Sequence, residues 1–274
     1  MSIQTADFDY VRTLLRERAA IVLEPGKEYL VEARLLPVAR SFGCEGLGDL
    51  VRRLRFGGEA PLVTRVVEAM TTNETSWFRD LHPFDALATR VIPDTLRVRA
   101  GERRLRMWCG AASSGQEPYT VLMVLAEKFP ELAGWTIDFL ATDISSEMVA
   151  KCNAGRYSQL EMNRGMPTPL LLKYFERDGL DWKVRDELRK RVTFRTMNLA
   201  APWPSLGTLD VVFLRNVMIY FDVPTKRSIL AGIRRVLRPG GWLFLGSAES
   251  TLGLDDGFER VTEGKAVVYR NRKD

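Results

Sequence analysis

The sequence predicts an α/β protein: a doubly wound parallel sheet with an inserted small antiparallel β-subdomain, preceded by a small all-helical domain. Three observations lead there. Residues 105–118 run from a short apolar strand through a small-residue loop into a helix that has Pro118 in its first turn. From there on, apolar strands alternate with helical patterns, as in parallel strands joined by crossover helices. Before residue 100 there is no strand pattern, and apolar residues recur at helical spacing.

In order, Phe8, Val11, Leu14, Leu15 and Ala19 mark a first helix, with Asp7 placed to cap it and Pro25-Gly26 to end it. A second runs from Lys27 to Phe42, bent at Pro37 and stopped by Gly43, and shorter ones occupy Leu47 to Leu54 and Pro61 to Met70. The expected domains are therefore 1–70, all helical; 71–90, a linker with a helix near Pro83 to Arg90; and 91–274, the α/β part. In the last, strands are expected at Leu105 to Gly110, Trp135 to Ala141, Leu209 to Leu214, Trp242 to Gly246 and, antiparallel, Ala266 to Arg270. Helices are expected at Tyr119 to Phe129, Ser146 to Ala154 and Thr225 to Leu237. The insertion, about residues 165–197, should contain short antiparallel strands at Leu170 to Phe175, Leu180 to Val184 and Val192 to Thr196, with Asp178-Gly179 as a hairpin turn.

Composition narrows the class. Hydrophobic residues make up 46% of the 274, enough for a proper core. The net charge of +5 suggests an acidic partner, and the excess lies beyond residue 70. Arg97, Arg99, Arg103, Arg104 and Arg106 form either a contact patch or a solvated loop. Cys44, Cys109 and Cys152 offer neither a zinc spacing nor a disulfide framework, which points to a reducing compartment. With no apolar leader near Met1 and no apolar run long enough to span a bilayer, a cytoplasmic location without membrane insertion is expected.

The chemistry gathers at strand ends. Small side chains between Gly110 and Gly115 let a ligand approach the backbone, and the next helix aims free N–H groups at it. The G-x-G-x-x-G fingerprint of dinucleotide enzymes is missing. Asp143 either accepts from a ribose diol or caps the helix after it. Glu117 suits a helix start without any ligand, or could offset a cationic group. Asn198 and Asn216 could cradle an adenine or an amino-acid moiety. A single histidine, His82, and no metal-ligand cluster leave base-activated or zinc-assisted catalysis poorly supported, so no metal site is expected.

Four stretches carry a resemblance: Met70 to Asp80, with its Thr-x-Asn-x-Thr and Phe78-Arg79; Ala111 to Tyr119; Ala141-Thr142-Asp143-Ile144; and Leu214 to Phe221. Together they resemble the chemotaxis receptor glutamate O-methyltransferases, the CheR family. The resemblance implies a Rossmann-like class I methyltransferase domain using S-adenosylmethionine and releasing S-adenosylhomocysteine. It implies that Asn73, Thr75, Arg79, Glu117, Asp143, Asn198, Leu199, Arg215 and Asn216 lie around the cofactor, and that Arg79 and Tyr220 act at the methyl group and the incoming glutamate. The substrates it implies are cytoplasmic signalling helices of chemoreceptors, faced by Arg34, Arg40, Arg52, Arg53 and Arg55 of the first domain. Some relatives also hold a receptor tether peptide by β-augmentation. The short link between Phe175 and Val184 suggests that this chain does not depend on one. Two other functions compete. A nucleic-acid methyltransferase would need a basic stripe with stacking aromatics, which is not visible. A non-catalytic cofactor-binding scaffold would keep the same residues without turnover.

Overall fold

The computed structural model describes residues 3–272, which divide into two compact units. The helical unit comprises residues 1–72 together with 198–202 and 220–225. It contains α1 (Thr5–Ala19), α2 (Glu28–Ser41), α3 (Leu47–Arg55) and α4 (Ala60–Met70). The first helix buries Phe8, Val11, Leu14, Leu15 and Ala19, the five positions whose spacing predicts it. Asp7 is not its cap. The helix begins earlier, with Gln4 at the N-cap, and Asp7 in the first turn pairs with Arg55 at 3.1 Å.

The α/β unit begins with α5 (His82–Ala86), which runs through a π-turn at Leu87–Val91 into α6 (Ile92–Arg99). Then follow β1 (Arg104–Gly110), α7 (Gln116–Lys128), β2 (Thr136–Asp143), α8 (Ser146–Ala154), β3 (Arg156–Tyr157), α9 (Gln159–Met162) and α10 (Thr168–Tyr174). The chain continues through β4 (Phe175–Asp178), β5 (Asp181–Val184), α11 (Asp186–Arg189), β6 (Thr193–Thr196) and β7 (Leu209–Leu214). It ends with α12 (Val223–Val236), β8 (Leu237–Leu245), β9 (Phe258–Glu263) and β10 (Ala266–Asn271). Among the described residues no helix is long and apolar enough to cross a membrane.

Seven strands form one sheet in the order β6-β2-β1-β7-β8-β10-β9, parallel as far as β8 and antiparallel for the last two. Every residue of β7 is buried, as a parallel strand covered on both faces requires. Phe213 and Phe244, on adjacent strands, stack with ring centroids 4.5 Å apart. The Pro239-Gly240-Gly241 stretch lies inside β8 as an irregularity: pairing jumps from Leu209–Leu237 to Val211–Trp242.

The insertion departs from expectation at two points. Leu170 to Phe175 is not a strand, because α10 occupies Thr168–Tyr174 and the strand starts only at Phe175. The stretch expected from Val192 to Thr196 belongs to the main sheet, as β6 parallel to β2. Short apolar runs do not distinguish helix from strand, or one sheet from another; packing partners decide. The three-stranded sheet is β3-β5-β4, and Gly179, at φ +65°, and Leu180 link the paired Asp178 and Asp181.

The arginine cluster is divided: Arg97, Arg103 and Arg104 are exposed, as a solvated stretch would have them, whereas Arg99 is drawn inward. Arg99 donates to the fully buried Asp210 at 2.6 Å, Arg97 pairs with Asp94 at 2.7 Å, and Arg104 pairs with Asp138 at 2.6 Å. Asp210 also accepts from Arg238 Nε at 2.8 Å and from the Arg106 N–H at 2.9 Å. A carboxylate with three donors can be buried without an unpaired charge. Through Asp210, the Arg99 and Arg238 side chains and the Arg106 N–H tie together the start of the sheet.

Candidate functional site

The opposite, carboxyl-terminal edge of the parallel strands holds most of the expected residues. In parallel sheets that edge collects strand-to-helix loops, where backbone N–H groups and helix starts meet a ligand.

After β1 the chain makes a strained loop: Ala111, Ser113 and Gly115 take φ of +56°, +51° and +93°. Left-handed conformations at two non-glycine residues cost energy, and surrounding contacts must hold them. Here Tyr157 OH donates to Ser114 O at 2.7 Å, Cys152 Sγ to Ser113 O at 3.2 Å, and the Ala112 N–H to Thr142 O at 2.9 Å. Gly115 is obligatory, since a Cβ there would stand 2.9 Å from Cys152 Sγ and 3.0 Å from Tyr157 OH.

Asp143, buried at the end of β2, accepts from the Ser113 N–H at 2.7 Å through one oxygen and from the Ser145 N–H at 2.9 Å through the other. It is not the cap of α8. Ser145 is, accepting from Met148 N–H at 3.3 Å. Asp143 thus joins the loop after β1 to the turn after β2.

Arg215, immediately after β7, has a side chain only 1% exposed. It donates to Glu117 at 2.5 Å, to Asp80 at 2.7 Å and to the Arg79 carbonyl at 3.0 Å. Burial works against its charge, but Glu117 and Asp80 outweigh that and hold the guanidinium above its usual pKa. Glu117 also accepts from Cys109 Sγ at 3.4 Å. Burial, then the nearby Glu117, push the Cys109 thiol well up, so it stays protonated. Glu117 is therefore already ion-paired. Two acids and one guanidinium leave the cluster one negative charge, while Arg215 Nε is buried with no partner among the described residues.

The 71–81 segment reaches this edge by an anchor. Trp77 is 1% exposed, packs edge-on against Tyr157 and Phe175, and donates its backbone N–H to Arg164 O at 3.0 Å. Phe78, Asp80 and Leu81 follow at φ of +49°, +65° and +48°. The Asn73 carbonyl accepts from Ser113 Oγ at 2.9 Å, so the segment is tied to the loop after β1. Asn73 and Thr75 line a cleft of about 190 Å³ with Ser114, Gln116, Lys151 and Glu161. Arg79 is half-buried and donates to Glu74 O at 2.9 Å.

The α/β unit thus brings together Asn73, Thr75, Arg79, Glu117, Asp143, Arg215 and Asn216. Asn198, Leu199 and Tyr220 belong to the helical unit. There the Asn198 amide donates to Arg18 O at 2.7 Å, Leu199 is buried, and the Tyr220 carbonyl accepts from Val22 N–H at 2.9 Å. Sequence reasoning missed Asp80 as a partner of Arg215, although it ends the quoted Met70 to Asp80 motif. It also missed Ser113, whose N–H and hydroxyl tie three segments together.

The donor set suits S-adenosylmethionine: a small-residue loop, buried acids and an orphaned guanidinium N–H can receive a ribose, a sulfonium and an amino-acid tail.

Comparison with known proteins agrees. Residues 73–267 match the family model described as CheR methyltransferase, SAM binding domain, and residues 6–71 the CheR methyltransferase all-alpha domain. The chain is 41% identical to the chemotaxis protein methyltransferase Cher2 of Pseudomonas putida over 274 residues, covering 98% of this chain and 99% of that one. It is 42% identical to chemotaxis protein methyltransferase 1 of Pseudomonas aeruginosa, with the same coverage, and 39% identical to the Vibrio cholerae protein of that name, covering 96% and 95%. The chain belongs to the CheR methyltransferase family and is an S-adenosylmethionine-dependent methyltransferase of chemotaxis.

Proposed function

We propose that this enzyme methylates glutamate side chains on the cytoplasmic signalling helices of chemoreceptors, forming methyl esters for sensory adaptation. The observation that carries the site is the buried Arg215 held between Glu117 and Asp80, joining three segments at the sheet's carboxyl edge. Bound S-adenosylmethionine supplies an electrophilic methyl carbon on a sulfonium sulfur. A glutamate, with an unperturbed pKa of about 4.3, is already ionised near pH 7, so the chain needs no general base. Its task is to orient the carboxylate oxygen in line and exclude water.

In this reading Asn73, Thr75, Arg79, Glu117, Asp143, Asn198, Leu199, Arg215 and Asn216 border the cofactor, while Arg79 and Tyr220 orient the incoming glutamate. A loose hydrogen bond from Arg79 serves better than a bidentate clamp, which would hold back the nucleophile's electrons. The helical domain faces the receptor, and the enzyme works in the cytoplasm. Among its arginines Arg34, Arg40, Arg52, Arg53 and Arg55, Arg34 donates to the Met70 and Thr71 carbonyls at 2.8 Å each, Arg52 pairs with Asp49 at 2.7 Å, Arg53 donates to the Phe42 carbonyl at 3.1 Å and Arg55 to the Ala6 carbonyl at 2.7 Å, so the exposed Arg40 is the best placed for receptor contact. The two-residue turn between β4 and β5 supports independence from a receptor tether peptide.

The test is transfer of a radiolabelled methyl group from S-adenosylmethionine to cytoplasmic receptor fragments. The expected label is base-labile and is lost with Arg79→Ala. Cofactor binding without labelling of any fragment would overturn the substrate; base-stable label would overturn the ester. Calorimetry with a receptor tether peptide should show no appreciable affinity, and micromolar binding would refute tether independence.

A further inference from the structure

We infer that Glu249 is a positioning residue of the cofactor site: its carboxylate holds the turn that carries Arg215 and Asn216 in the shape that receives S-adenosylmethionine. The inference rests on the reading above that this turn borders the cofactor.

After β7 the chain leaves the sheet abruptly. Arg215 is buried, Asn216 is left-handed at φ +58°, and a 3₁₀ turn begins at Met218. Backbone N–H groups in so tight a turn lose their ladder partners and need another acceptor. One half-buried carboxylate takes them. Glu249 Oε2 accepts from the Asn216 N–H at 2.8 Å and the Gly246 N–H at 2.6 Å, and Oε1 accepts from the Met218 N–H at 2.7 Å. The Glu249 N–H returns a bond to Gly246 O at 2.9 Å. The turns after two neighbouring parallel strands, β7 and β8, therefore share one anion.

A carboxylate fits this place because it only accepts. An amide would aim its NH₂ at one or two of the three N–H groups. Gly246 is required for the same closeness, since a Cβ there would lie 2.6 Å from Asn216 Nδ2, 2.8 Å from Asn216 N and 2.8 Å from Glu249 Oε2. Glu249 acts through the backbone of Asn216 and Met218. Asp210 gives the contrast: it too has three donors, but at the start of β7.

Calorimetric binding of S-adenosylhomocysteine to the full chain, with thermal unfolding beside it, tests this. Glu249→Gln and Gly246→Ala are expected to raise the Kd about ten- to a hundredfold, the effect of leaving a buried donor unpaired. Asp210→Asn is expected to lower the unfolding midpoint and leave the Kd unchanged in the folded protein. A folded Glu249→Gln with wild-type Kd, while Asn216→Ala raises it, overturns the inference alone. Wild-type Kd in Asn216→Ala overturns the placement of the turn at the cofactor, and the inference with it. If Asp210→Asn raises the Kd as much as Glu249→Gln, the effect is general loosening and the positioning role falls. Should Glu249→Gln fail to fold, Gly246→Ala decides by the same criterion.

Discussion

Asp143 and Ser113 are joined by a 2.7 Å hydrogen bond from the Ser113 backbone N–H to the Asp143 carboxylate. The bond fixes a residue held at φ +51° in the loop after β1, so the acid at the end of β2 shapes its neighbour's loop before any ligand arrives.

Asp143→Asn should therefore harm more than ligand contact. Both oxygens accept from backbone N–H groups, and an amide places a donor against one of them. The expected loss is about 1–3 kcal/mol of stability, read by urea unfolding of the ligand-free protein. Unchanged stability with weakened S-adenosylhomocysteine binding would mean that Asp143 serves the ligand alone.

Arg215 and Glu117 make a second case. Arg215→Ala leaves Glu117, whose side chain is 12% exposed, without its cation. Removing one member of a buried pair costs about 3–5 kcal/mol, whereas Arg215→Ala combined with Glu117→Ala should cost less than the sum of the two single changes. A double-mutant cycle by chemical denaturation measures this coupling, and additivity would contradict it.

Gly165 secures the linker. Its φ is +96°, and a Cβ would stand 2.3 Å from the Trp77 carbonyl. Gly165→Ala should lower the unfolding midpoint by several degrees, corresponding to about 1–3 kcal/mol of backbone strain, and displace the Trp77 to Leu81 segment. Trp77 fluorescence, in a variant with the other tryptophans replaced, reports the displacement; an unmoved spectrum and midpoint would refute the anchoring role.

Acid sensitivity should include Glu161. Burial raises its carboxyl pKa, but the hydrogen bonds from Lys151 and from Ser158 prevail and hold it below the usual range. Because the folded value is depressed, the contribution to stability is present above the unfolded value of about 4.3 and is lost as pH falls through the folded one. Glu161→Gln should be less stable than wild type at neutral pH and converge with it in acid. Parallel stability curves from pH 7 to pH 3 would exclude this.

How much of this was legible beforehand varies with the kind of interaction. Strand β7 occupies the six residues expected, Leu209 to Leu214, because a fully buried parallel strand is a continuous apolar run. The helical start of the chain was equally plain, since Phe8, Val11, Leu14, Leu15 and Ala19 encode one face by spacing alone. The motifs around Asn73, Glu117, Asp143 and Arg215 identified the family, since each lies in a short contiguous stretch. By sequence alone β6 reads as part of the small antiparallel sheet and α10 as a strand, because four to six apolar residues fit either choice; packing places β6 beside β2 and coils Thr168–Tyr174 into a helix.

Features that depend on near neighbours along the chain are written in the residues themselves: helical faces, buried strands, the glycine loop, and the motifs that name the enzyme. Which distant groups meet is set by the folded arrangement of the strands. Arg215 pairs with Asp80 across 135 positions and with Glu117 across 98, and Glu249 gathers N–H groups from a turn some thirty residues earlier. Such pairings leave no periodicity, because a carboxylate chooses its donors by where the sheet brings strand ends together, not by separation along the chain.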